Sequence, residues 1–351
     1  MKFKSLLLLS LLPCFLFADK RQLTAPPTPP KTDENLFNKN EPGFILNGEF
    51  IFWNVQEGAL DYALRMKSRS WGPSASYAQG DFERAEFNWD PGYRFSVGYY
   101  RAENFWEVLG QYTFLHVNGH DHVKMPKEVE ARYINGTFPQ VFTGTMHHAT
   151  SSIHLHYKLA DLLAHRVFHP FDNPHLRLRF SGGFTAAFFS QGWRVRYFDL
   201  TENVTSILNR WRYWGIGLRI GTGFDWYWGR DFYASGKFST ALVMGHYHNH
   251  SKQETTFAPL PGDQTHIPIR NARYKDYRMA LTMQMLLGPS YQKSFTGWRF
   301  ELFAGYELTI WSNLQEVFRS TASGSQGPKE TWINTGLIAL HGLTTRATFN
   351  F

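Results

Sequence analysis

Three histidines in alternate positions, His246, His248 and His250, have the spacing best suited to chemistry in this chain. On an extended backbone alternate side chains point the same way, so three imidazoles in this arrangement could hold zinc, copper or nickel. The same pattern arises where a strand leaves a membrane for a polar outer loop, and no metal site is expected. A second group, His147, His148, Ser151 and Ser152, contains the residue types of an outer-wall hydrolase. Ser151 shares the parity of Ile153, which alternation assigns to the lipid face, and His147 falls four residues earlier. Four residues of strand span roughly 13 Å, whereas a serine–histidine hydrogen bond needs about 3 Å. No catalytic residue, no enzyme activity and no cofactor follow.

A third pattern is electrostatic. Opposite the apolar rows lie Arg94, Lys158, Arg177, Arg179, Arg219, Lys237, Arg278, Arg299 and Arg346, together with Glu49, Glu107, Asp225, Asp276, Glu301 and Glu307. Charges lining a lumen select ions, and they also pair across strands to brace the wall. His154 and His156, which alternate with Ile153 and Leu155, are expected to face that lumen beside Lys158. Gly215, Gly217, Gly221 and Gly223 fall on the same face, leaving room for a pore or for bulky neighbours.

The elements that must carry these rows are strands. From Tyr277 the residues Met279, Leu281, Met283, Met285 and Leu287 form one face, and Arg278, Ala280, Thr282 and Gln284 the other. Trp298, Phe300, Leu302, Ala304, Tyr306, Leu308 and Ile310 repeat the pattern, and at the C-terminus Leu337, Ala339, His341, Leu343, Thr345, Ala347, Phe349 and Phe351 repeat it again. Period-two alternation means one apolar and one polar face. Similar rows lie in residues 93–99, 106–114, 153–159, 176–188, 214–226 and 232–244. Their length suits tilted strands crossing a bilayer. Links alternate between short (102–104, 228–231, 288–297, 160–174) and long and polar (56–89, 118–146, 191–210, 245–272, 312–330). Short periplasmic turns and long outer loops are the pattern of an outer-membrane barrel.

Phe, Trp and Tyr make up 17% of the chain, which two aromatic girdles require and a soluble enzyme does not. No apolar run after residue 18 is long enough for a spanning helix, and a closed barrel is the other structure that satisfies its backbone in lipid. The expected fold is therefore an all-β, single-chain transmembrane antiparallel barrel of about ten strands over residues 43–351. Twelve fit if hairpins lie within 56–89 and 191–210.

Residues 1–18, with Lys2, Lys4 and the apolar run from Leu6 to Phe17, read as a signal peptide. They contain Cys14, the only cysteine; Leu12 and Pro13 before it are not the small residues a lipoprotein site wants. Residues 19–42, with Pro26, Pro27, Pro29 and Pro30, read as a periplasmic tail. Loss of Lys2 and Lys4 takes the formal charge from +7 to +5. The charge is spread along the chain, so nucleic-acid binding is not expected.

The stretch Phe50 to Met66 (FIFWNVQEGALDYALRM) and the stretch Phe87 to Tyr100 (FNWDPGYRFSVGYY) resemble the Legionella-type major outer membrane protein family, which has relatives in chlamydiae. The Leu60–Ala63 element and the Trp89–Gly92 turn carry the likeness. The C-terminal strand resembles the assembly signal of outer-membrane barrels, which implies that Leu343, Phe349 and Phe351 are read by the barrel-assembly machinery. Chlamydial relatives cross-link through cysteines; here the chain after residue 18 has none, so the resemblance implies a porin-like barrel without that network. The expected function is passive diffusion of ions and small hydrophilic solutes with a weak anion preference. The alternative is a structural or adhesin-type barrel whose outer loops contact a host surface ligand or envelope components. Expected partners are outer-membrane lipid, lipopolysaccharide and further copies of the chain.

Overall fold

The computed structural model describes residues 42–66, 80–101, 106–124, 134–138, 146–168, 175–201, 203–229, 231–257, 266–295, 297–320 and 331–351. The expected signal peptide, and the proline-rich segment apart from Pro42, lie outside the described residues.

The strands are β1 (Gly43–Glu57), β2 (Asp61–Met66), β3 (Gly80–Arg84), β4 (Asp90–Arg101), β5 (Trp106–Lys124), β6 (Ile134–Gly136) and β7 (Met146–Phe168). They continue with β8 (Leu176–Asp199), β9 (Val204–Gly229), β10 (Phe232–Thr256), β11 (His266–Phe295), β12 (Trp298–Ser320) and β13 (Thr331–Asn350). Ten of them close a barrel in the order β1, β13, β12, β11, β10, β9, β8, β7, β5, β4. All its pairs are antiparallel, and closure is made by β1 against β13, where Ile45 pairs with Asn350 and Glu57 with Ile338. Phe44 N donates to Phe351 O at 2.7 Å and Phe351 N to Phe44 O at 3.0 Å. Strands β2, β3 and β6 form a separate small sheet, so the 56–89 segment adds no strand to the wall.

The lipid-facing rows are those that alternation assigns on β11, β12 and β13: Met279, Leu281, Met283, Met285 and Leu287 are all exposed, as are Leu302, Tyr306, Leu343, Phe349 and Phe351. Tight turns at the periplasmic end use residues in the left-handed region, Gly229 at φ 93°, Asp231 at φ 68° and Gly297 at φ 88°. Glycine reaches that region at no steric cost.

The expected long outer loops 191–210 and 245–272 are in large part wall. β8 runs to Asp199 and β9 starts at Val204, so 191–210 is strand except for one tight turn. Likewise β5 runs to Lys124, β10 to Thr256, β11 starts at His266 and β12 runs to Ser320. At the periplasmic end β7 extends to Phe168 and β11 to Phe295, which leaves little of the 160–174 and 288–297 links. Strands β7 to β11 have 23, 24, 26, 25 and 30 residues, against the roughly 9–11 that cross a bilayer. The barrel therefore stands well clear of the lipid.

Above the lipid the alternation changes phase. On β8, Phe180, Phe184 and Phe188 face outward, but further along the strand Phe189, Trp193, Val195 and Tyr197 face inward and are buried. Lipid rewards apolar groups on the outside of a barrel; water rewards them on the inside. β9 does the same, with Ile216, Leu218 and Ile220 outside and Ile207, Trp211 and Tyr213 inside. The sequence shows no gap at the switch, and the outer row, now polar, reads as loop.

Candidate functional site

The lumen is where the charged rows meet. Arg94 on β4 donates to Glu49 on β1 at 2.6 Å and, through two nitrogens, to Glu307 on β12 at 2.8 and 3.0 Å. Gln284 on β11 donates to Glu307 and accepts from Arg219 on β9 at 2.9 Å. Arg219 Nε lies 3.1 Å from Asp161 on β7. Trp53 Nε1 donates to Thr344 Oγ1 at 3.1 Å, and Thr344 donates to Glu307 at 2.8 Å. A single polar chain thus crosses the lumen between opposite walls. Each ion is paired because an unpaired charge buried here would keep its full desolvation cost.

On the periplasmic side of this chain lies a cavity of about 470 Å³ lined by Arg94, Arg177, Arg179, Lys237, Arg299, Glu301 and Arg346 among others. Arg177 and Arg179 share Asp225, and Arg346 donates to Glu301 at 3.0 Å. On the extracellular side the lumen is a packed core. Trp53, Tyr157, Trp193, Trp211 and Trp311 are buried there with Leu115, Ile153, Leu155 and Ile338. Phe189 on β8 meets Trp311 on β12 edge-on at 5.0 Å, and Tyr157 on β7 meets the same indole at 6.3 Å. These contacts cross the barrel. A Cβ at Gly215 would lie 2.6 Å from the Tyr213 hydroxyl, so the lumen glycine makes room for a bulky neighbour.

The small sheet closes the outer mouth. Tyr62 on β2 is fully buried and donates to Asp121 at 2.9 Å, while Tyr197 on β8 donates to Tyr62 O. Phe138, just after β6, packs edge-on against Trp193 at 5.6 Å. From the opposite wall Arg319 on β12 donates to Ala59 O, Asp61 O and Thr137 Oγ1, and its guanidinium lies 4.2 Å from the Phe138 ring. The chain enters this sheet through Ala59 at φ 56°, a left-handed conformation that costs a non-glycine residue energy. Beside it, Gln191 donates to Glu57 at 2.8 Å. Glu57 lies five residues past Phe52, the last lipid-facing aromatic of β1, and burial pushes its carboxyl up to about 8.

Of the charged row that alternation places in the lumen, Arg94, Arg177, Arg179, Arg219, Lys237, Arg278, Arg299, Glu301, Glu307 and Arg346 point inward. Lys158 does not. It sits outside, 5.8 Å from the Phe114 ring, with His154 and His156 on the same outward row, while Ile153, Leu155 and Tyr157 fill the lumen. The expected parity of β7 is reversed because its apolar row belongs to the extracellular core. Ser151 is likewise inward, accepting from Trp193 Nε1 at 2.9 Å, rather than on the lipid face. His246, His248 and His250 do share an outward row. However, His246 is stacked on Trp214 at 4.8 Å and tilted against Tyr277 at 4.2 Å, and His250 bonds to Asn271.

The residues that sequence reasoning missed are those of the core and the stopper: Trp53, Phe189, Trp193, Trp311, Tyr62, Phe138 and Arg319. The phase change on β8 and β9 was the signal that could have found the first group. Both motifs that carried the family likeness are structural here. Leu60–Ala63 enters the stopper, and Trp89–Gly92 is not a turn but the entry into β4, pinned by Asn118 N donating to Asp90 at 2.8 Å and by Trp89 stacked on Phe52 at 5.7 Å.

Among solved structures the chain is similar to the outer-membrane protease OmpT of Escherichia coli, at 11% identity and a TM-score of 0.40 over 88% of this chain and 96% of that one. It is also similar to a Pseudomonas aeruginosa FadL homologue, at 7% identity and a TM-score of 0.23 over 91% and 92%. The Pseudomonas putida toluene transporter TodX follows at 8% and 0.19, over 91% of each chain. No curated protein matches the sequence. The family model described as the Legionella pneumophila major outer membrane protein precursor matches residues 38–349, nearly the whole chain. A closed ten-stranded barrel with an outward apolar belt, matched over that length, makes this chain a member of the Legionella major outer membrane protein family, located in the bacterial outer membrane.

Proposed function

We propose that this barrel serves as a closed surface scaffold of the outer membrane rather than as a standing diffusion pore. The observation that carries the reading is the Phe189–Trp311 contact across the lumen, with the Arg94–Glu307 chain beneath it and the small sheet above. Interior width grows with strand number, and barrels near eight strands have only enough room for side chains; ten strands leave little more, and here aromatic rings take it up. The tall extracellular wall is the part such a scaffold presents outward. Neither this reading nor the next invokes catalysis.

A gated channel is the second reading, favoured by the periplasmic cavity, whose Arg177, Arg179, Lys237, Arg299 and Arg346 outnumber its acids. In that case the anion preference would arise in the cavity, and the aromatic contact would be the gate. Single-channel recording on refolded protein separates the two. Silence from a heat-modifiable, folded barrel is expected. Stable ion-selective steps would overturn the scaffold reading, and their loss of anion preference in Arg177→Ala/Arg179→Ala would place selectivity in the cavity.

A further inference from the structure

The outward face of β8 to β11 carries an ordered set of cations that the lumen does not explain. Phe188, Trp214, His246 and Tyr277 are directly paired across these four strands and form an aromatic rung at the edge of the lipid belt. The next outward rung up is Ser190, Arg212, His248 and Lys275; the one above it is Gly192, Arg210, His250 and Arg273. Successive rungs are two residues apart, about 7 Å along the strand. Arg194 and Arg196 continue the outward row of β8 above them, both exposed.

None of Arg210, Arg212, Arg273 and Lys275 makes an ion pair among the described residues. No acid stands on the outward row of β8 or β9, nor on that of β10 until Glu254, which is held by Lys252 at 2.7 Å. An ordinary solvated face mixes its signs. Like charges opposite one another across strands are destabilising, and in each of the two rungs a histidine stands between the permanent cations. Burial and the nearby Lys275 and Arg273 hold His248 below its usual range.

We propose that this patch docks the phosphorylated headgroup of an outer-leaflet glycolipid, with phosphates held between Arg210 and Arg273 and between Arg212 and Lys275. The aromatic rung sets the depth, because Trp and Tyr rings sit at the headgroup level. Cations one and two rungs higher then stand where the phosphates of a glycolipid lie, and the row of Met279, Leu281, Met283 and Met285 below receives its acyl chains. Charge and apolar surface are continuous on this wall, which a soluble anion would not use.

The test is binding of bis-phosphorylated lipid A to the folded barrel in zwitterionic detergent, read by native mass spectrometry. Arg210→Gln/Arg212→Gln/Arg273→Gln/Lys275→Gln should lower affinity at least about 10-fold, because each cation near the membrane surface adds to the attraction of an anionic headgroup. Dephosphorylated lipid A should bind the native chain as weakly, and inorganic phosphate at equal concentration should not compete. Lys252→Gln, which removes a cation already paired, should leave affinity unchanged. Heat-modifiable mobility establishes that each variant is folded; the four positions are exposed and make no ion pair among the described residues, so their neutralisation relieves repulsion. Equal affinity in the fourfold variant, or equal affinity for the dephosphorylated lipid, overturns the proposal, and displacement by free phosphate would assign the patch to soluble anions instead.

Discussion

Phe189 and Trp311 stand on opposite walls of the barrel, yet their rings meet at 5.0 Å and 77°. Edge-to-face contact of this kind adds about 0.5–1.5 kcal/mol to the area that each ring buries. It ties β8 to β12 through the lumen, and it sets what the rest of the interior does. Truncating the fully buried Trp311 to Ala should cost about 3–5 kcal/mol, seen as a lower urea midpoint in detergent. If conductance steps appear in Trp311→Ala but not in the native barrel, the ring is also the closure of the lumen. An unchanged midpoint would show that the two walls are not joined there.

The polar chain below should behave as a unit. Removing the guanidinium in Arg94→Ala leaves Glu307 buried without its cation and Glu49 with only Arg346 at 4.0 Å, a loss expected to cost about 3–5 kcal/mol. Arg94→Met/Glu307→Leu should cost clearly less than the sum of its single changes, because both charges leave together. Additive losses in a double-mutant cycle would mean that the pair is not coupled.

Glu57 gives a pH signature. Its carboxyl is raised from 4.5 to about 8, mainly by burial, and its Oε1 is buried without a hydrogen-bond partner. Between those two values the folded chain holds a proton that the unfolded chain has released, so stability present below pH 4.5 drains away as pH rises towards 8. Glu57→Gln keeps the neutral form throughout. Its denaturation midpoint should match the native one near pH 4 and exceed it increasingly up to pH 8; parallel curves across that range would remove the assignment.

Arg319 should govern the stopper. Among the described residues it is the one side chain from β12 that bonds both Ala59 and Thr137, so Arg319→Ala loosens the entry to β2 and uncovers Phe138. Hydrogen exchange over residues 58–66 is expected to rise at least about 10-fold with the barrel strands unaffected. Exchange that stays at the native rate would place the hold elsewhere.

The sequence alone determined the class of fold, the strand rows that meet lipid, and the inward row of charges apart from Lys158. In the lipid zone the solvent itself fixes the parity: Met279 to Leu287 have to face outward, so Arg278 and Gln284 face inward. The family likeness was legible in the same way, through the local motifs at Leu60–Ala63 and Trp89–Gly92. Tertiary structure decided everything above the lipid. There water replaces hydrocarbon outside the wall, the apolar row moves inside, and period two by itself carries no label for which side is which; Lys158, Ser151 and Ile153 were misplaced for that reason. Whether the lumen is open was also a tertiary matter. It depends on Phe189 reaching Trp311 and on Arg319 holding the stopper, contacts between residues more than a hundred positions apart whose pairing no local pattern encodes.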